Sequence, residues 1–251
     1  MAVSQLLILI IVFLLTSVIG VVTGSNSLIA VPAMFQVGIE PRTAVATNMF
    51  ALVFMSAGGT IPFLRQGSIN VRALWPLIAL TVVSSACGAF LVGIIPVGGI
   101  KLIVSAAMIA VVLFSVLKRD ARTDAAHGPA PFGVPVTLGL TFILGIYGGV
   151  FSGGYVTVLT AVFVAFAGMR YSEAVASTKL INVFSSSVAT IVFMWQGLVD
   201  YRLGIILGLT MFVGAYVGAH YVTKLSEIWI RRIFLAAVVL LAIKTLSDLI
   251  I

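Results

Sequence analysis

A lysine, Lys179, stands among small polar residues in the segment AVASTKLIN (residues 174–182), inside a run that is otherwise apolar. An ionisable side chain at membrane depth is costly and is usually kept for a function. The nearest carboxylate in the sequence, Glu173, is six residues away, beyond one helical turn. The ammonium therefore has no local partner. We favour a substrate anion as its partner over the alternative, snorkelling of the lysine to the membrane surface.

Two short segments with glycine interrupt apolar runs at matching places, Thr23–Ser27 (TGSNS) and Phe151–Tyr155 (FSGGY). Glycines and small polar residues at membrane depth break a helix, and the freed backbone groups must then face protein or a cavity. A helix that restarts there points unpaired N–H groups and the positive end of its dipole into the protein. Such ends bind anions in transporters built from repeats. The alternative is that the glycines only allow close helix packing.

The breaks, AVASTKLIN and an earlier counterpart, AVATN, together define a predicted substrate site. Its candidate residues are Gly24, Ser25, Asn26, Thr47, Asn48, Ser152, Gly153, Gly154, Tyr155, Ser177, Thr178, Lys179 and Asn182. In this hypothesis the lysine neutralises an oxyanion, and the hydroxyl and amide groups donate hydrogen bonds to it. The absence of arginine at this depth predicts modest affinity, because arginine is the usual bidentate partner of oxyanions.

No enzyme is predicted, and no catalytic residue, metal ligand or cofactor is assigned. The sequence has no HExxH motif, no carboxylate pair and no phosphate-binding loop. An intramembrane serine hydrolase built on Ser152 and His220 is a weak alternative. In that class the residue two positions before the serine is glycine, whereas this chain has Val150.

The composition defines the class of protein that carries this site. Of 251 residues, 61% are hydrophobic and only 8% are charged, whereas a soluble domain has about 25% charged residues. Apolar runs of membrane-spanning length recur along the chain, which predicts an all-α polytopic membrane protein in contact with the lipid bilayer. The net charge of +7 is spread over short loops, as expected for loops that face anionic headgroups. No basic helix is present, so nucleic acid is not an expected partner.

An internal repeat organises the chain. A shift of 130 residues aligns 12 identical positions of 33, without a gap, between Glu40–Arg72 and Arg170–Arg202. These matches include residues 44–46 with 174–176, Ser56 with Ser186, Gln66 with Gln196, and Arg72 with Arg202. Before this window the same shift also aligns Gly24 with Gly154 and Gly38 with Gly168. Apolar bias explains matches of alanine or valine but not those of the Gln-Gly turn and the loop arginines. We predict two homologous transmembrane repeats of about four helices each, 1–117 and 133–251, joined by a polar linker, 118–132.

The orientation of the two repeats depends on how the broken segments are counted. If each broken segment counts as two passes, the repeats are inverted, and nine loop lysines and arginines lie inside while four lie outside. If each repeat has four crossings, the repeats are parallel and the basic residues divide almost evenly. We favour the inverted arrangement with pseudo-twofold symmetry, and the parallel one remains the alternative.

The chain resembles the TauE/SafE-type sulfite exporter family. The resemblance lies in the glycine-containing break of each half, the repeated AVAT and AVASTK stretches, WQGLVDYRLGIILGL (residues 195–209) and the late segment IRRIFLAAVVLLAIKTL. It implies transport of sulfite, sulfoacetate, other sulfonates or organic anions across a bacterial inner membrane. One departure is TGSNS, where many members have a longer glycine run.

The expected function is therefore secondary transport of a small anion by alternating access, at a midplane site between the repeats. A proton is the expected coupling ion, although no carboxylate is evident at membrane depth. A homodimer is also left open. Two other functions remain alternatives: a carrier of a neutral or cationic solute with Lys179 as its coupling site, and a membrane scaffold that transports nothing. The exact substrate, the direction of transport, the coupling ion and the oligomeric state are not determined by the sequence.

Overall fold

The structure is a computed structural model that describes residues 1–24, 26–65, 71–117, 132–221, 238–241, 243–245 and 247. At 21–23, 62–65, 114–117 and 221 only the backbone is described. The described elements are helices: α1 (Val3–Thr23), α2 (Ser27–Gln36), α3 (Pro41–Arg65), α4 (Val71–Ile94), α5 (Val97–Leu117), α6 (Gly133–Val150), α7 (Tyr155–Ala165), α8 (Tyr171–Trp195) and α9 (Tyr201–Tyr221). The segments 238–241 and 243–245 are also helical.

Six of the described helices, α1, α3, α4, α6, α8 and α9, are long and apolar enough to cross a membrane. The all-α polytopic fold predicted from the sequence is confirmed. Helices α2 and α7 have 10 and 11 residues. At about 1.5 Å per residue they reach only about half of a hydrocarbon core of about 30 Å. These are the short second pieces expected after each break.

Local sequence explains where several helices begin. Helix α8 follows Arg170, whose backbone is extended, and carries Glu173 in its first turn, where a negative charge complements the helix dipole. The backbone N–H of Leu203, in the first turn of α9, donates to Asp200 Oδ1 at 3.0 Å, which is an N-cap. Helix α8 starts at Tyr171, three residues before the segment AVASTKLIN.

The most extensive helix packing joins the segment before the predicted linker to the segment after it. Helix α3 packs on α8 and α9, α4 on α6 and α8, and α1 on α9. Small residues allow the closest crossings: a Cβ on Gly88 of α4 would lie 2.0 Å from the Ile146 carbonyl oxygen, and one on Gly218 of α9 would lie 2.4 Å from that of Val18. These two glycines correspond under the 130-residue shift. The central helices α3 and α8 lie between the other long helices of this arrangement.

The glycine pairs of the proposed repeat share a backbone conformation. Gly24 and Gly154 have φ of 73° and 80°, and Gly38 and Gly168 have φ of 84° and 69°. This left-handed region is open to glycine and costly for other residues. The agreement is what a duplicated chain is expected to show, while the duplication, its orientation and the division into 1–117, 118–132 and 133–251 stay predictions. Residues 118–131 of the linker lie outside the described residues.

Candidate functional site

The two helix breaks meet inside the bundle. Helix α1 ends at the left-handed Gly24, and α2 begins at Ser27. Helix α6 ends at the extended Phe151, and Gly154 precedes α7. The hydroxyl oxygens of Ser27 and Ser152 are 2.8 Å apart. The amino-terminal ends of the two half-length helices are therefore joined by a hydrogen bond between the breaks.

A cavity of about 30 Å³ lies beside this contact. It is lined by Gly20, Gly24, Asn26, Ser27, Leu52, Met55, Ser56, Gly59, Ser152, Val156, Lys179 and Asn182. Space of this size holds a few small polar atoms, so it suits a compact solute group. The lining mixes hydroxyl and amide groups with glycines, and Lys179 is the one ionisable side chain among the described residues that form it.

A chain of hydrogen bonds runs from α3 to the breaks. The amide nitrogen of Asn48 donates to the Ser27 hydroxyl oxygen at 2.8 Å. The Ser27 and Ser152 hydroxyl oxygens are 2.8 Å apart, and either hydroxyl can donate to the other. Because one proton serves this contact, the pair keeps a second hydroxyl proton for a further acceptor, and both serines line the cavity. The Asn48–Ser27–Ser152 relay therefore offers one hydroxyl proton to the cavity.

Helices α8 and α3 repeat this arrangement on the other side of the cavity. The Asn182 amide nitrogen donates to the Ser56 hydroxyl oxygen at 2.6 Å. The backbone carbonyl oxygen of Asn182 accepts a hydrogen bond from Ser186 Oγ at 2.6 Å, one turn further along α8. Ser56 also lines the cavity, and its own proton is free to donate to a solute. Ser27 and Ser56 thus line the cavity, and the hydroxyl oxygen of each accepts a hydrogen bond from an amide nitrogen.

Lys179 lies on α8 with only 8% of its surface exposed. In the described part of the chain, no hydrogen bond or ion pair to its side chain is found. Among the described residues, no carboxylate lines the cavity. A buried ammonium without a counter-charge is strongly destabilising, so an anion in the cavity would stabilise the lysine.

The structure brings together five of the predicted site residues around the cavity: Gly24, Asn26, Ser152, Lys179 and Asn182. Asn48 joins them through Ser27. Ser25 lies outside the described residues. The Asn26 amide nitrogen donates to Thr16 Oγ1 at 3.2 Å, and its carbonyl oxygen has no partner among the described residues.

The remaining candidates do not line the cavity. Thr47 Oγ1 accepts from the backbone of Asp200 at 3.0 Å, and Thr178 Oγ1 is 3.0 Å from Thr160 Oγ1. Both contacts fix α3 and α8 against their neighbours. The predicted site residues that are buried but do not line the cavity are Thr47, Gly153, Gly154, Tyr155, Ser177 and Thr178. The Gly153 carbonyl accepts a hydrogen bond from the Tyr147 hydroxyl, which ties the second break to α6.

Two cavity serines were missed as candidates. Ser27 belongs to the TGSNS break, and Ser56 aligns with Ser186 in the proposed repeat. Both are small residues whose position toward the cavity depends on the helix crossings. The signal that could have found Ser56 is its place eight residues, about two turns, after Asn48 on α3.

The fold and this cavity define a class, that of helical membrane proteins in which two broken helices meet at an internal polar site. A family model described as "Sulfite exporter TauE/SafE" matches residues 9–245. The chain belongs to this family, which confirms the resemblance seen in the sequence.

Curated relatives agree with the family. A probable membrane transporter protein ORF9 of Sinorhizobium sp is 31% identical over 228 residues, covering 90% of this chain and 87% of the relative. The probable membrane transporter protein YfcA of Escherichia coli K12 is 27% identical over 237 residues, covering 94% and 88%. A probable membrane transporter protein of Haemophilus influenzae is 24% identical over 249 residues, covering 98% and 96%. No solved structure matches the chain. Family and relatives support a multi-pass membrane transporter.

Proposed function

We propose that this chain is a secondary transporter of small sulfur-containing or organic anions, which bind in the cavity where the two helix breaks meet. The observation that carries the proposal is Lys179, buried in a cavity without a carboxylate among its lining residues. An anion supplies the counter-charge that the lysine lacks. The other described residues that line the cavity are all neutral.

The neutral groups of the cavity suit an anion as well. Ser27 and Ser56 each accept a hydrogen bond from an amide nitrogen. Ser152 pairs with the Ser27 hydroxyl, so this pair and Ser56 each keep a hydroxyl proton to donate. Hydrogen bonds from these groups to a charged acceptor are stronger than neutral ones, at about 1.5–3 kcal/mol each. Helices α2 and α7 add the positive ends of their dipoles at the breaks. Among the described residues no arginine lines the cavity, so binding depends on a point charge and separate donors rather than on a bidentate clamp.

Sulfite, sulfoacetate and other small sulfonates are the substrates that fit the family description and the small cavity. The relatives of known source include bacterial proteins, and we place this chain in the bacterial inner membrane. In alternating access, the helices of one half move against those of the other. The Ser27–Ser152 hydrogen bond joins elements of both halves, so it must break when the cavity opens.

Flux into proteoliposomes tests the function. Wild-type protein should transport sulfite or sulfoacetate, and Lys179→Met should reduce the rate at low substrate at least about tenfold, the effect of roughly 1.4 kcal/mol. Lys101→Met is the matched control, because Lys101 lies on α5 and does not line the cavity; its flux should match wild type. Equal anion flux in both variants would show that Lys179 does not bind the anion. No flux of any of these anions by the wild type would instead favour a neutral or cationic solute, or a scaffold.

A further inference from the structure

We propose that a second polar cluster, formed by Thr81, Ser85, Tyr155 and Ser185 between α4, α7 and α8, is a binding site for a sodium ion. Its residues are all buried, with exposed fractions of 0% or 1%. They lie apart from the anion cavity and do not line it. The role of the ion in coupling rests on the proposed transport function, whereas its binding does not.

The cluster holds five oxygen atoms at close quarters. Ser85 Oγ is 2.9 Å from Ser185 Oγ and 3.1 Å from the Ser185 carbonyl oxygen. The Tyr155 hydroxyl lies next to the Thr81 and Ser185 hydroxyls. Oxygens at about this spacing surround a cation whose ligands lie at roughly 2.3–2.6 Å, the range for a hard cation of the size of calcium, which sodium shares. Hydroxyl and backbone carbonyl oxygens are the ligands that coupling sodium ions use in repeat-based transporters.

Two of these hydroxyl groups make only poorly aligned contacts. The Tyr155 OH and Thr81 Oγ1 are buried and lie close together, yet neither is in good hydrogen-bond geometry with a described residue. Poorly bonded hydroxyl groups in the interior are destabilising, since they lose their bonds to water. A cation can be coordinated by a lone pair of each oxygen at once, while the hydroxyl protons point away from the ion. The cluster therefore offers a set of neutral oxygen ligands for a cation.

The fold does not need these hydroxyl groups for packing. Under the 130-residue shift, Thr81, Ser85 and Ser185 correspond to Met211, Ala215 and Met55. The three counterparts are buried apolar residues with exposed fractions of 0%, 0% and 7%. The related crossings of α3 and α9 are thus filled by apolar side chains. For these three pairs the hydroxyl group occurs on one side only, as expected if it binds a ligand.

Glycines make room for the cluster. A Cβ on Gly148 would lie 2.9 Å from the Tyr155 ring, and one on Gly149 would lie 2.1 Å from the Ser85 carbonyl oxygen. Helix α6 can therefore approach both residues closely. The charge of the ligands decides which ion can bind. Calcium sites use carboxylates, whereas the four cluster residues are neutral, so they suit a monovalent ion.

The cluster shares two helices with the anion cavity. Tyr155 begins α7, three residues after Ser152, and Ser185 lies on α8, three residues after Asn182. A sodium ion would hold the start of α7 against α4 and α8 and so fix the second break in the position that forms the cavity. Its positive charge also favours an anion nearby. Sodium and the anion should each raise the affinity of the other by the same factor, and sodium replaces the proton expected from the sequence as the coupling ion.

Thermal unfolding of the purified protein without added anion tests the binding. At constant ionic strength, NaCl at ten times the dissociation constant should raise Tm by about 3–6 °C, and KCl should not. Thr81→Val keeps the shape of the side chain and should abolish the sodium-specific shift, as should Ser85→Ala. Thr190→Val is the matched control, because Thr190 is a buried, unpartnered hydroxyl on α8 outside the cluster; it should keep the shift.

Each outcome has one meaning. An equal effect of sodium and potassium, as for a buried water or an unspecific salt effect, overturns the site, and so does a sodium shift that survives in Thr81→Val. Lys179→Met should keep the sodium shift, so that a failed anion function and a failed sodium site give different results. In proteoliposomes, an inward sodium gradient should stimulate wild-type anion uptake several-fold over potassium. A sodium shift with no such stimulation overturns the coupling role.

Discussion

Ser152→Ala should weaken anion binding through the loss of one hydrogen bond to a charged group. The Asn48–Ser27–Ser152 relay keeps one hydroxyl proton for the cavity, with its N···O and O···O contacts both at 2.8 Å, and in the proposed binding mode Ser152 donates that proton. Such a bond contributes about 1.5–3 kcal/mol. At about 1.4 kcal/mol per factor of ten, the dissociation constant should rise about 10- to 150-fold. The concentration dependence of sulfite and sulfoacetate uptake measures the change.

Ser27→Ala separates the relay from direct contact. The variant removes the acceptor of the Asn48 amide and frees Ser152 to rotate, so affinity should fall about 2- to 10-fold, the effect of a neutral hydrogen bond of ~0.5–1.5 kcal/mol. In the double variant the relay has nothing left to orient. Its affinity should equal that of Ser152→Ala alone, which is the non-additivity expected of residues in one network.

Additive losses in the double variant would refute the relay, because they would show that Ser27 contacts the anion independently. Ser105→Ala on α5 is the matched control. The Ser105 hydroxyl is buried, has no partner among the described residues and lies outside the cavity lining. Its removal should leave uptake at the wild-type level, and a loss there as large as that of Ser152→Ala would mean that the serine variants act through general destabilisation.

Two predictions concern the glycines. Gly154→Ala should lower stability by more than Gly38→Ala. Both glycines have positive φ and share a cost of about 1–2 kcal/mol, but only at Gly154 would the new Cβ collide with a neighbour, the Val111 side chain 2.2 Å away. Equal Tm values of the two variants would contradict this contact. Gly88→Ala should destabilise the α4–α6 crossing, where the Cβ would lie 2.0 Å from a carbonyl oxygen, while Gly139→Ala, which meets nothing within 4 Å, should be neutral or stabilising by up to about 1 kcal/mol. Thermal unfolding in detergent measures both pairs.

The helices and the breaks could be predicted from the sequence because local chemistry decides them. Long apolar runs are helices in a membrane, and the glycines at 24 and 154 take a backbone conformation that other residues adopt only at a cost. The lysine at 179 could be singled out because a charge at this depth is rare. These features depend on composition and on neighbours within a few residues.

Which polar residues share the cavity could not be predicted in the same way. Thr178 and Lys179 are adjacent in sequence, yet the threonine bonds to Thr160 on α7 while the lysine lines the cavity. Successive residues of a helix point about 100° apart, and only the crossing angles of the neighbouring helices decide which one faces the cavity. Tyr155 shows the same limit: it follows the second break but is buried in the hydroxyl cluster beside α4.

The asymmetry of the cavity follows from the way the halves are interlocked. Eight of the twelve lining residues come from α1 to α3 and the break between α1 and α2, but Lys179 comes from α8. Its counterpart under the 130-residue shift is Met49, which is buried on α3. The first half thus supplies most of the neutral wall, and the second half supplies the charge together with Ser152 and Asn182. Under the proposed function, movement of one half against the other separates the Ser56 hydroxyl and the rest of the first-half wall from the ammonium, so anion release requires no change in any single side chain.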